Sequence, residues 1–365
     1  MKKVLLGLVL ALGLAACGDK AEAPKKNEKP VVKIGVTLPL TGNTAFAGVP
    51  VKKSIELALA DIQKENNLKY DYKLFFEDDR LEPKQVILNM NRLHSAQQVN
   101  AIISMWGLAG PAVSKFANEK KIIHMGCSWG YEIAKGFYSF NNCTLPDEQV
   151  ETLVSELKRQ GVKTLGIIHN ASASDVELVD AIEDKLADTD IKIVYKNMYS
   201  MSDRDFRTDI NKMKQQPVDV VFVLLAYPTL DIMVKQMKEA DFNPKMTSIN
   251  YFGYTPELFE GQWFVQDADG TDNFKQYFKQ ATGEEITSCV PNHYDSLKMI
   301  VEGFENAPVN DGEMLPSNET VVKTMLDNKH FNSVMGKIYI DNDGNVHSQA
   351  VVKKIINGQP VVVEE

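Results

Sequence analysis

The chain has 365 residues, four cysteines and a formal net charge of −9. That length exceeds what one hydrophobic core usually encloses, so two lobes are expected. The acidic balance argues against nucleic acid as a partner, because a phosphate backbone calls for lysine and arginine clustered on one face.

Taken in chain order, Lys2 and Lys3 precede an apolar run over 4–14, which closes on Leu14-Ala-Ala-Cys17. This is the pattern of a secretory signal peptide over residues 1–16, and the run is too short to remain as a membrane-spanning helix. The closing four residues also match the bacterial lipoprotein signal, so Cys17 is expected to be acylated and to become the mature N-terminus. Residues 17–30 are rich in charge, alanine and proline without a large apolar side chain, and read as a flexible tether. The folded body is therefore expected in the periplasm or on an extracytoplasmic face, lipid-anchored to a membrane that it does not cross.

From residue 31 strands and helices alternate. Strand patterns cover 31–38, 72–77, 100–105 and 121–125. Between them, helical spacing covers Val51, Ile55, Ala58, Leu59 and Ile62, with Pro50 near the helix start, and then 83–97 and 111–119. After a break near 141–146 the alternation resumes, with helices over 148–160, 175–186, 206–215 and 230–240 and strands over 164–169, 191–195 and 218–225. Two such series predict an α/β fold of two Rossmann-like lobes, each a parallel sheet covered by helices. The tail changes character: 334–340, a turn at 341–345 and 346–356 read as an antiparallel hairpin. Asp341, Asp343 and Asn345 superficially resemble a calcium loop, but the glycine is misplaced and no acidic residue closes it, so a turn is the better reading.

Catalytic patterns are missing. There is no G-x-S-x-G, no H-E-x-x-H, no complete P-loop and no C-x-x-C, and the six histidines lack ligand spacing. No metal site and no cofactor are expected. Asp78-Asp79 reads as a solvated turn, since neighbours on an extended segment face opposite ways. Cys127, Cys143 and Cys289 allow one disulfide with one thiol left over, and Cys127 with Cys143 is one candidate pair.

The loops at the C-terminal ends of the strands are rich in small, hydroxyl and aromatic residues. Thr41 to Gly48, containing Phe46, follows the first strand; Trp106-Gly107-Leu-Ala-Gly110 follows the third; Cys127-Ser128-Trp129-Gly130 follows the fourth. Asn170 to Ser174, Ala226-Tyr227-Pro228 and Asn250-Tyr251-Phe252-Gly253-Tyr254 hold the equivalent places in the second series. Ligands of open α/β sheets collect at this edge, where helix N-termini suit a carboxylate and aromatic rings enclose an apolar remainder. Candidate ligand-binding residues are accordingly Phe46, Trp106, Gly107, Cys127, Ser128, Trp129, Ser174, Tyr227 and Tyr251.

Lys33-Ile-Gly-Val-Thr-Leu-Pro-Leu-Thr-Gly42, Ala58-Leu-Ala-Asp-Ile62 and Phe75-Phe-Glu-Asp-Asp79 resemble the opening of the leucine/isoleucine/valine-binding protein family, the type I periplasmic solute-binding proteins of ABC importers. Asp203-Arg-Asp-Phe206, Val218-Asp-Val-Val-Phe222, Val334-Met-Gly336 and Asp343-Gly344 continue the likeness, which covers about 31–360. The resemblance implies two lobes joined by three crossovers, with 31–145 plus 271–333 in the first and 146–270 plus 334–365 in the second. It also implies that main chain and hydroxyls near Trp106-Gly107 and Cys127 to Trp129 hold an amino acid's carboxylate and ammonium, with further contacts from the loops at Ser174, Tyr227 and Tyr251. Trp106 and Trp129 replace the small hydroxyl residues usual at those places, Ser174-Asp175 replaces a tyrosine-glycine pair, and the acidic residue usual near Tyr251 is replaced. The expected ligand is thus a small amino-acid-like, aromatic or amide solute rather than a simple aliphatic amino acid. The expected protein is a monomeric receptor that delivers its solute to an ABC permease in the cytoplasmic membrane. Two other readings remain: a sensory binding protein of the same fold, and an exported hydrolase with Cys127 as nucleophile and His124 or His169 as base.

Overall fold

A computed structural model of the protein describes residues 29–106, 109–200, 202–225, 228–250, 255–287 and 289–363, with the backbone only of Tyr131, Ala173 and Ser174. The signal segment 1–16 and Cys17 lie outside the described residues.

The first series runs β1 (Val31–Leu38), α1 (Ala45–Ile62), β2 (Asp71–Asp78), α2 (Pro83–Arg92), β3 (Ala101–Met105), α3 (Pro111–Lys120), β4 (Ile123–Cys127) and β5 (Ser139–Asn141). Its five strands form one sheet in the order β2-β1-β3-β4-β5, parallel throughout. All five residues of β3 and all five of β4 are buried, as expected of strands covered on both faces. The alternating side chains Val32, Ile34, Val36 and Leu38 are sealed in the same core.

The second series runs α4 (Pro146–Arg159), β6 (Thr164–Asn170), α5 (Ala173–Ala187), β7 (Lys192–Tyr199), α6 (Arg207–Lys214), β8 (Val220–Leu224), α7 (Thr229–Glu239) and β9 (Lys245–Thr247), giving a parallel sheet ordered β7-β6-β8-β9. The period of two along β8 divides its core cleanly. Val220, Phe222 and Leu224 pack towards α4 and α5, while Val221 and Val223 pack towards α6 and α7. The fold is therefore the expected α/β arrangement of two lobes.

The rest of the chain crosses between these lobes. After β10 (Trp263–Gln266), helices α8 (Asp272–Thr282), α9 (Val290–Asn306) and α10 (Asn318–Asp327) return to the first core, where Phe278, Leu297, Phe304 and Val321 are fully buried. Helix α9 is fastened to α1: Ser54 Oγ donates to the Val290 carbonyl at 2.6 Å, and Tyr294 Oη donates to Asp61 at 2.8 Å. Five short strands follow: β11 (His330–Ser333), β12 (Gly336–Ile340), β13 (Val346–His347), β14 (Val351–Ile356) and β15 (Gln359–Val362).

Three local expectations change. The hairpin exists, with Asp341 Oδ1 accepting from the Asp343 and Asn345 amides at its turn, but its second arm is only β13. Residues 351–356 instead pair antiparallel with β10 and β15, because the chain has by then crossed to the second lobe. Pro50 lies one turn inside α1 rather than at its start. In the added first turn Gly48 packs on the Pro39 backbone, where a Cβ would stand 2.1 Å from the carbonyl oxygen. Asp78 and Asp79 are not a solvated turn: Asp79 is buried and accepts from Thr37 Oγ1 at 3.0 Å, while Asp78 accepts from the Leu40 and Arg80 amides. Among the described residues no helix is long and apolar enough to cross a membrane.

Candidate functional site

The strands β4 and β8, the Ile249-Asn250 segment beyond β9, and the starts of α4 and α5 converge on one small cavity. Trp129, Gln149, Asp175, Leu178, Leu224, Ile249 and Asn250 line it. One side is a tryptophan from the first lobe; the others come from the second.

Beneath the cavity sits Asp267, in the crossover after β10 and only 4% exposed. Its carboxylate collects donors from both lobes. Trp129 Nε1 donates to Oδ2 at 3.1 Å, the Cys143 thiol donates to the same oxygen at 3.5 Å, and Gln149 Nε2 donates to Oδ1. Burial pushes the Asp267 carboxyl up to about 6, and these hydrogen bonds offset part of that rise. Asp175, in the first turn of α5, is also held above the usual carboxylate range by burial, although Asn170 Nδ2 donates to it at 2.8 Å.

Two buried amide groups at the cavity are incompletely used. Gln149 turns its Nε2 to Asp267 because only a donor can face a carboxylate, which leaves Oε1 without a partner. Asn250 Oδ1 accepts from the Asp267 amide at 3.3 Å, and its Nδ2 has no partner. Buried polar groups are usually paired, so an open acceptor and an open donor on one cavity mark a place for a ligand's polar end.

The expected site residues are distributed unevenly. Trp129 lines the cavity. The Ser128 amide and carbonyl are both taken by the Asn141 side chain, at 3.0 and 2.9 Å, and its Oγ accepts from the Gly130 amide. Cys127 turns away into the first core, where its sulfur faces that of Cys289 at 2.8 Å. Trp106 adopts a left-handed backbone (φ 57°) and packs on the first core with its Nε1 buried and unpartnered. Its amide donates to the Cys127 carbonyl at 2.7 Å, which ties the two loops together. Phe46, in the first turn of α1, is 58% exposed. Ser174 lies in the first turn of α5, its side chain outside the description; Gly107, Tyr227 and Tyr251 lie outside the described residues.

Sequence reasoning missed Gln149 and Asp267, passed over Asn250 within a loop it had singled out, and noted Asp175 only as part of the Ser174-Asp175 replacement. Gln149 carried a usable signal: it precedes Val150 and Leu153 on a helix face that proves to be buried.

The arrangement does not suit a cysteine nucleophile. Burial raises the Cys127 thiol well above its ordinary value, which suppresses the thiolate. His124 is held between the Ser104 and Ser139 hydroxyls, 2.8 Å from each, and burial lowers it to about 3. His169 is likewise buried, with Nδ1 against the Asn170 carbonyl.

Known proteins resemble this chain over nearly its whole length. A sequence model described as periplasmic binding protein matches residues 31–359. The Leu/Ile/Val-binding protein homolog 3 of Brucella melitensis is 23% identical over 333 residues, covering 87% of this chain and 89% of the relative. Among solved structures, a leucine binding protein from Thermotoga maritima superposes with a TM-score of 0.78 at 21% identity, covering 91% of this chain and 98% of that one. An ABC-transporter solute binding protein from R. palustris, in complex with benzoate, gives 0.75 at 15% identity over 91% and 95%.

Proposed function

Because the chain belongs to the periplasmic binding protein family, we propose that it is the extracytoplasmic solute-binding receptor of an ABC importer. It closes two lobes on one small organic molecule, amino-acid-like or an aromatic acid or amide, and presents it to a membrane permease. Cys17 carries a lipid that holds the monomeric receptor at the membrane, and residues up to 30 form the tether.

The observation that carries this reading is the pairless Oε1 of Gln149 and Nδ2 of Asn250 on a cavity walled by Trp129 and bordered by the buried carboxylate of Asp175. One open acceptor and one open donor complement an amide, or the ammonium and carboxylate of an amino acid. The indole face suits a flat or apolar remainder. The benzoate named for one structural relative falls in the aromatic-acid class; the leucine named for another is the aliphatic amino acid that the bulky Trp129 wall is proposed to disfavour. Phe46, Trp106, Gly107, Ser128, Ser174, Tyr227 and Tyr251 complete the binding cleft in this proposal, and Cys127 supports it from behind.

We place the third crossover between Val346 and Ala350, since Ile338, Ile340 and Val346 pack in the first core and Ala350 in the second. The division at 334 implied by the family resemblance moves accordingly. Closure then turns on three segments: 142–145, 267–271 and 347–350. Thr144 and Ser348 join two of them through their hydroxyls at 2.7 Å, and Asp267 joins the other to both lobes. A solute favours the closed form only by the extra affinity it finds there, and contacts from both lobes to one molecule supply that difference.

The test is a thermal-shift screen of amino acids, their amides and aromatic acids, followed by calorimetry on the hits. Stabilisation by a member of these classes is expected. Response to leucine or valine alone would contradict the proposed solute class, and no response across the panel would contradict the function.

A further inference from the structure

Three cysteines stand in the described structure, all buried, and two of them meet. Cys127 ends β4, directly before Ser128 and Trp129; Cys289 caps the N-terminus of α9 with a left-handed backbone (φ 69°). Their exposures are 0% and 2%, and their sulfurs are 2.8 Å apart. That separation is well inside the van der Waals contact of two sulfurs and approaches the disulfide bond length of about 2.05 Å.

We propose that Cys127 and Cys289 are joined by a disulfide in the exported protein, and that Cys143 is the remaining thiol. This replaces the Cys127–Cys143 pair suggested by sequence alone. Cys143 also neighbours Cys127, but its thiol donates to Asp267 at 3.5 Å, whereas the Cys289 sulfur is the one that reaches Cys127 at 2.8 Å. A metal is the competing use of the same sulfurs, since a ring nitrogen of His293 lies within 4.8 Å of both. The geometry disfavours it. His293 Nδ1 faces the Cys289 carbonyl at 2.7 Å and Nε2 faces the Ser104 carbonyl at 3.2 Å, so both ring nitrogens point at oxygens rather than at a shared centre. Two thiolates on one tetrahedral zinc, with bonds of about 2.3 Å, would also stand about 3.8 Å apart.

The bond closes a loop of chain that contains the entire 146–266 segment, and so removes much of the freedom of the unfolded state. It also fixes the strand that carries the Trp129 wall to α9, itself fastened to α1, so the solute's first contacts sit on a cross-linked lobe. Formation is by thiol–disulfide exchange with a disulfide-bearing oxidant of the export compartment. The Cys127 thiolate attacks one oxidant sulfur, expelling the other as a thiolate. The Cys289 thiolate then attacks the Cys127 sulfur of the mixed disulfide, expelling the second. The protein thiols lose two protons and two electrons, and the oxidant leaves as two thiols. Because both sulfurs are buried in the folded chain, exchange takes place before the core closes.

The inference rests on the proposed extracytoplasmic location, but its test does not require a solute. Full-length exported protein is denatured in a thiol-alkylating reagent, digested without reductant and mapped by mass spectrometry; reduced, unfolded protein refolded with glutathione disulfide is treated in the same way. Both preparations should yield one cross-linked peptide pair containing Cys127 and Cys289, lighter by two hydrogens than the separate peptides, with Cys143 alkylated. The link should persist in Cys143→Ser and vanish in Cys289→Ser. Reduction should lower the thermal midpoint of the unsubstituted protein by several degrees and leave that of Cys289→Ser unmoved. Recovery of alkylated Cys127 and Cys289 from the refolded protein, a Cys127–Cys143 link, or stoichiometric zinc released with both thiols alkylatable would overturn the proposal.

Discussion

Replacing Trp129 with phenylalanine tests the joint between the lobes. The substitution keeps an aromatic wall on the cavity and removes the indole N–H that donates to Asp267 at 3.1 Å. Burial sets the Asp267 carboxyl at about 6, so at pH 8 the lost bond is to a charged carboxylate and at pH 4.5 to a neutral acid. A hydrogen bond to a charged partner contributes about 1.5–3 kcal/mol and a neutral one about 1 kcal/mol. The smaller ring also leaves a gap, whose cost does not depend on pH. Subtracting the loss at pH 4.5 from that at pH 8 isolates the ionic part, expected at about 1–2 kcal/mol. The direction follows from linkage. The folded value of Asp267 lies above that of an unfolded aspartate, so stability from this group is greatest below about pH 4 and declines as pH rises through about 6. Trp129→Phe disfavours the carboxylate further, so the decline should extend to higher pH. Urea unfolding of both proteins across this range is the assay. Equal losses at the two pH values, or no loss at pH 8, would mean that Trp129 does not stabilise a charged Asp267.

Removing the open donor with Asn250→Ala should weaken solute binding about 10- to 100-fold by calorimetry, the equivalent of about 1.5–3 kcal/mol, while the far-ultraviolet spectrum is unchanged. His124, at about 3 in the folded protein, contributes stability that is complete above about pH 6.5 and falls by about 1.4 kcal/mol per pH unit as pH drops towards 3. His124→Asn should therefore lose less stability than the unsubstituted protein between pH 6.5 and 4.5, and urea midpoints at the two pH values would show whether it does. Gly48→Ala places a methyl group 2.1 Å from the Pro39 carbonyl oxygen and should cost about 3 kcal/mol or more in thermal unfolding, because the obstacle is backbone rather than a mobile side chain.

The order of strands and helices was legible because the strands are sealed on both faces: β8 is a continuous apolar run, β3 is broken only by Ser104, and β4 only by His124 and Gly126. Short strands that borrow neighbours from distant chain were not. Trp263–Gln266 has four residues and no period of its own, and it is a strand only because 351–356 lies beside it. The same non-local pairing shortened the tail hairpin, since nothing in Val351–Ile356 says which lobe it will join. At the candidate site, the aromatic loops pointed to the C-terminal ends of the strands, and Trp129 stands there on the cavity. Side-chain direction was beyond reach: Cys127, two residues before Trp129, faces the core instead. Polar residues in helices were the larger omission. Gln149 looks like a surface residue of α4 until the crossover carrying Asp267 covers it, and that contact spans more than a hundred residues of chain. Trp106 could not have been placed either, because neither its left-handed backbone nor the bond its amide makes to the Cys127 carbonyl on the neighbouring strand has a local sequence signal.

In the proposed receptor, one small solute is held between the lobes by Gln149 and Asn250 against Trp129. The most direct measurement is native mass spectrometry of the exported protein with the solute it retains through purification, repeated on Asn250→Ala and Gln149→Leu. A single amino-acid-like, aromatic-acid or amide molecule per chain, lost from both variants while each remains folded, is the predicted result. A solute retained equally by all three proteins would mean that Gln149 and Asn250 do not hold it.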